Sequence, residues 1–203
     1  MNLSRDPRWA RFAAQSARNA GYAETPCPLE GQPFSLPGEV APCVQVFVRR
    51  VTFNEVAPEA FIGVYLEAFE RGWRDRLIRT GLDPKHQTPT FGLHIANVLR
   101  LGLTPWAPNA PSDQDVAAVK DWLDRVFDYA KRLPSSLDSL VAAINANKIA
   151  DHNVEAYLGH PVKVRGFVQW LRREHGIDIG DRLLPLLSDR TEPYDVRAML
   201  GPD

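Results

Sequence analysis

The chain reads as a helix-dominated α+β protein, and three features of its 203 residues point that way. Apolar residues recur at helical spacing through most of the chain, several times directly behind a capping residue. One segment, "CVQVFVRRVTF" from Cys43, instead has the β-branched density of a strand, with Val44, Val46 and Val48 on one face. Proline-rich stretches interrupt the helices at two places, between Thr25 and Pro42 and between Thr104 and Pro111.

The first helix is expected in "DPRWARFAAQSARNAGY". Asp6 can cap it, Pro7 suits the first helical position and Gly21 suits the stop. Trp9, Phe12, Ala13, Ala17 and Ala20 form its apolar stripe, while Arg5, Arg8, Arg11 and Arg18 stay largely off it. One strand cannot stand alone, so the strand after Cys43 needs a partner, and "QPFSL" is one candidate. The segment "FIGVYLEAF" is the other, because Ile62, Val64 and Leu66 alternate. Yet Phe61, Tyr65, Phe69, Trp73 and Leu77 are each four apart, with Pro58 where a helix would begin. Length favours a helix from about Pro58 to Thr80, with a hairpin as the alternative for residues 58–68. "TFGLHIANVLRLG" is read as a short helix closed by Gly102.

The connector "TPWAPNAP" divides residues 1–103, with the first helix, a small β element and a long helix, from an all-helical stretch over 112–203. The two can equally form one continuous domain. Ser112 with Asp115 makes a capping-box start before the stripe Val116, Val119, Leu123, Val126, Phe127 and Ala130, which Pro134 ends. Ser135 with Asp138 opens the next helix. Shorter helices are expected around Val154–Leu158, from Pro161 to about His175, and from Asp178 until Pro185.

Charge and motifs exclude more than they assign. Twenty-four Lys and Arg against 25 Asp and Glu give a net charge of −1, which removes the bulk attraction of a dedicated nucleic-acid binder. Arginine far outnumbers lysine, as a GC-rich bacterial genome would produce. The N-terminal "MNLSRDPRWARFAAQ" has no apolar signal region and no segment is long enough to span a bilayer, so a soluble, cytoplasmic protein without membrane association is expected. Cys27 and Cys43 are consistent with one disulfide or with two thiols. Glycine loops that cradle phosphate and a nucleophile elbow are both missing from the sequence, and no cofactor is expected.

The stretch from Asn147 to Gly176 holds three of the five histidines. His152, His160 and His175 are too irregularly spaced to converge on zinc. Asp151 and His160 fit cap positions, and His175 fits a last turn, so no metal site is expected. Lys163, Arg165, Arg172 and Arg173 are read as the solvated side of a helix whose buried stripe is Val164, Phe167, Val168 and Leu171.

Three function classes follow. A non-catalytic protein-binding protein (inhibitor, immunity protein, antitoxin or adaptor) is favoured, with Trp106, Arg172 and Arg173 as candidate contacts. The alternative is a nucleic-acid-associated protein using Arg8, Arg11, Lys163, Arg165, Arg172 and Arg173. The third is a small enzyme centred on His94, with Glu70, Arg74 and Asp75 as companions, because a histidine on an apolar stripe would have a shifted pKa.

Overall fold

The computed structural model describes residues 7–24, 32–50, 56–81, 89–94 and 112–187. Its first element is α1, Pro7–Asn19, which buries Ala13 and Ala17 and leaves Arg11 and Arg18 exposed. Gly21 follows with φ +86°, the left-handed conformation that glycine adopts without strain.

A five-stranded antiparallel meander comes next, in the spatial order β1 (Ala23–Glu24), β2 (Gln32–Ser35), β3 (Val40–Arg50), β4 (Val56–Leu66) and β5 (Phe91–His94). Both candidate partners of the strand after Cys43 therefore pair with it. Phe34 lies opposite Val44 on one side, and the long β3–β4 register runs from Val40 opposite Leu66 to Arg50 opposite Val56 on the other. Pro42 lies opposite Leu36, whose N–H donates to the Pro42 carbonyl; the reciprocal bond that proline cannot give falls just past the end of β2, on the side away from β4.

Two expectations are corrected here. The helix expected over Pro58–Thr80 is two elements, β4 and then α2, Glu67–Arg79. A spacing of four is a multiple of the strand period as well as close to the helical one, so Phe61 and Tyr65 share a sheet face while Phe69 and Trp73 share a helix face. The helix expected over Thr90–Gly102 begins instead as β5, with Phe91 and Leu93 alternating into the core and Gly92 opposite Gly63. Residues 95–102 and the connector with Trp106 lie outside the described residues.

From Ser112 onward the described elements are helices and 3-10 turns, joined by turns and short irregular segments, with an isolated bridge between Ile149 and His152. Helix α3, Asp113–Ala130, begins with the expected capping box: the Ser112 hydroxyl accepts from the Asp115 N–H, and the Asp115 carboxylate accepts from the Ser112 N–H at 2.8 Å. Helix α4, Leu137–Asn145, is capped by Ser136 with Ser139, one residue later than the expected Ser135 and Asp138. A 3-10 turn over Val154–Tyr157 follows Asn153, whose side chain makes no cap bond. The expected cap, Asp151, is instead paired with Arg132 at 2.6 Å. Then come α5, Pro161–His175, α6, Gly180–Leu183, and a 3-10 turn holding Pro185.

One buried apolar cluster runs through the molecule. It joins Ala13 and Ala17 of α1, Val44, Ile62 and Phe91 of the sheet, Val126 and Phe127 of α3, and Phe167 and Leu171 of α5. Helix α3 packs on α1 and on β3 and β4, while α5 packs against α2 and α6.

A candidate docking cleft between α2 and α5

Helix α2 starts as β4 ends, and α5 crosses it through a ladder of rings. Phe91 meets Phe167 edge-on at 5.0 Å, Phe167 meets Phe69 edge-on at 5.4 Å, and Trp170 lies 5.7 Å from Phe69. Phe69 also stacks on Trp73, one turn along α2, at 6.1 Å. Offset and edge-to-face contacts of this kind add to the stabilisation from burial.

Behind the rings lies a buried ion pair. The Lys163 ammonium is 2.7 Å from Glu70 Oε1, and the two side chains are 6% and 0% exposed. Thr90 Oγ1 donates to the same carboxylate oxygen at 2.6 Å, and itself accepts from the Leu66 N–H at 3.2 Å. Lys163 also donates to the Pro89 carbonyl at 3.5 Å. The cluster ties α5 to the β4–α2 junction and to the approach to β5. The reading that put Lys163 on the solvated side is corrected: it lies four residues before Phe167, in line with the apolar stripe. Glu70 likewise precedes Trp73 by three. A carboxylate and an ammonium on two apolar stripes can be buried only together.

On the outer side of the rings α2 and α5 diverge around a cleft of about 200 Å³. Phe69, Trp73 and Trp170 wall it and Gly72 forms its floor. A Cβ built on Gly72 meets no atom within 4 Å, so that floor is open space. Arg76 and Arg79 from α2 and Arg173 from α5 form the rim, with Asp75 beside them. Burial, followed by the charges of Arg173 and Arg79, lowers the pKa of the Arg76 guanidinium from its ordinary value. Its Nη1 is buried without a hydrogen-bond partner among the described residues. Next to the rim, Ile78 is 56% exposed, the one large hydrophobic so placed among the described residues.

The residues singled out in the sequence divide. Arg173 is on the rim, with its Nε 2.7 Å from Glu174. Arg172 points to Asp178, also at 2.7 Å. Arg165 is half-buried on α5 and Arg11 exposed on α1, neither lining the cleft. Arg8 is described only as backbone of α1, and His94 only as the end of β5, paired with Phe61. Arg74 donates to the Tyr65 hydroxyl at 3.3 Å. The three histidines of 147–176 are dispersed. His152 lies against the Tyr129 ring, His175 against Trp170, and His160 precedes α5, whose 15 residues put it about 22 Å from His175. Among the described residues no group of three or more His, Cys, Asp or Glu is arranged to hold a metal ion, and no helix is long and apolar enough to cross a membrane.

Sequence reasoning missed Arg76, Arg79, Trp170 and Gly72 as a group. The available signal was Gly72, since a glycine inside a helix costs about 1 kcal/mol relative to alanine and so suggests a reason for the missing side chain.

Nothing matches the chain among protein-family models, curated proteins or solved structures. Its function is therefore argued from these residues.

Proposed function

We propose that this is a non-catalytic protein-binding protein, of the inhibitor, immunity-protein, antitoxin or adaptor kind, and that its partner docks on the face shared by α2 and α5. The observation that carries this reading is the cleft itself: tryptophan walls, an open glycine floor, three guanidiniums at the rim and an exposed isoleucine beside it. Tryptophan and arginine are the residues that most often dominate interface energetics, and an apolar pocket with a charged rim is the usual setting for them. The cations of α5 that a nucleic-acid strand would follow are largely committed elsewhere: Lys163 to Glu70, Arg172 to Asp178. That favours a compact contact over a phosphate track.

The test is photo-cross-linking in lysate of the source organism. A benzophenone amino acid replaces Ile78 in one variant and the exposed Glu155 in a control. The expected outcome is one protein adduct at 78, absent at 155 and retained at high salt. Adducts that are nucleic acid, or protein adducts equal at both positions, would remove the reading.

A further inference from the structure

We infer that the α2–α5 cleft receives an acidic segment of the partner protein, seating one aromatic or large aliphatic side chain over Gly72 and its flanking carboxylates against Arg76, Arg79 and Arg173. This rests on the protein-binding reading above and supplies the chemistry of the partner.

Three observations converge on that occupant. Three arginines face Asp75 at the cleft, and with Glu174 paired to Arg173 at 2.7 Å the local excess is one positive charge on a chain whose net charge is −1. The Arg76 guanidinium lines the cleft, and among the described residues nothing accepts a hydrogen bond from its Nη1; a bidentate carboxylate is the acceptor a guanidinium suits best. Phe69, Trp73 and Trp170 line a cleft of about 200 Å³, room enough for one side chain, and a Cβ on Gly72 would meet no atom within 4 Å. A free phosphate would satisfy the guanidiniums but leave the apolar walls and Ile78 unused. A segment that brings a large apolar side chain between carboxylates uses both.

The probe is a fluorescent twelve-residue peptide of Glu and Asp with a central Phe, followed by anisotropy. Three comparisons accompany it: the same peptide with Gln and Asn for Glu and Asp, an oligo-dT of equal length, and inorganic phosphate as competitor. Gly72→Leu adds a side chain at the cleft floor, where a Cβ meets no atom within 4 Å, and Arg173→Glu reverses one exposed rim charge; the melting profile of each variant checks that it folds. The acidic peptide should bind, weaken at least tenfold in each variant and at least tenfold on amidation, and resist displacement by phosphate. Binding that is unchanged in Gly72→Leu would place the contact elsewhere and overturn the inference. Oligo-dT binding tighter than the peptide, or displacement by phosphate, would replace it with a polyanion site. No peptide binding alongside a specific protein adduct at position 78 would sink the acidic-segment chemistry and leave protein docking standing. Loss of both would sink the two together.

Discussion

The Lys163 ammonium meets the Glu70 carboxylate at 2.7 Å in the interior, between two helices that the sequence places on opposite sides of the proline-rich connector. The pair holds α5 at a set distance from α2, and that spacing defines the cleft on the far side of the aromatic ladder. Withdrawing two charges from water is costly, and mutual attraction with added hydrogen bonds offsets it only while both partners are present. Thr90 and the Pro89 carbonyl supply those added bonds.

Removing one partner should therefore be much worse than removing both. Lys163→Met leaves the Glu70 carboxylate buried without its cation and is expected to cost about 3–5 kcal/mol. Glu70→Gln combined with Lys163→Met keeps an acceptor for Thr90 and should recover much of that loss. Urea unfolding of the two single variants and the double variant measures the coupling directly. Additive losses would show that the pair is not acting as a unit.

Two glycines should respond oppositely to the same substitution. Gly63 lies opposite Gly92 where β4 passes β5, and a Cβ there would be driven into the Phe91 carbonyl and to 2.8 Å from the Pro89 side chain. Gly63→Ala is expected to cost about 3 kcal/mol or more, because backbone on the far side cannot yield cheaply. Gly72 sits in the interior of α2 over open space, so Gly72→Ala should stabilise by about 1 kcal/mol through helix propensity. Thermal melts of the pair decide both.

What the sequence made legible follows from how local each signal is. The start of α3 was readable because Ser112 and Asp115 are three residues apart and carry the cap between them. The strand nature of residues 56–66 was legible only as the alternative to a helix, because Phe61, Tyr65 and Phe69 fit both periods and the deciding information is the ladder with β3. Glu70 and Lys163 each stand on an apolar stripe, which marks them as candidates for burial. Their pairing depends on how α2 and α5 cross, which no local pattern encodes. Trp106 and His94 drew attention as isolated residues. The cleft joins Arg173, one of the candidate contacts, to Arg76, Arg79 and Trp170, each ordinary in its own helix and distinctive only in company.

Acid should weaken the helical part first through two carboxyls. The Ser112 hydroxyl, and then its backbone N–H, hold Asp115 below the ordinary 3.8. The Gly180 N–H, followed by Arg172, does the same for Asp178. Both groups bind protons less readily folded than unfolded, so their contribution is complete above that ordinary value and disappears as pH falls through the folded pKa values. Asp115→Asn and Asp178→Asn should each flatten the fall in melting temperature below pH 3.8. Ser112→Ala, which removes the cap, should cost about 1 kcal/mol at neutral pH.

Alkali should act through Tyr22, whose ring packs 5.2 Å from Phe127 while its buried hydroxyl has no hydrogen-bond partner among the described residues. Burial, aided by the charge of Cys43, raises the phenol well above its ordinary 10.0. The folded state therefore holds this proton more tightly than the unfolded chain, and the stability it contributes is complete below 10.0 and is lost as pH rises beyond it. Tyr22→Phe keeps the ring contact and removes an unsatisfied buried hydroxyl. It should raise stability at neutral pH by about 1 kcal/mol and make the alkaline decline less steep. Paired melts of the wild type and Tyr22→Phe, from neutral pH to above 10.0, give both readouts. A variant less stable than the wild type at neutral pH would mean that the hydroxyl is hydrogen-bonded after all.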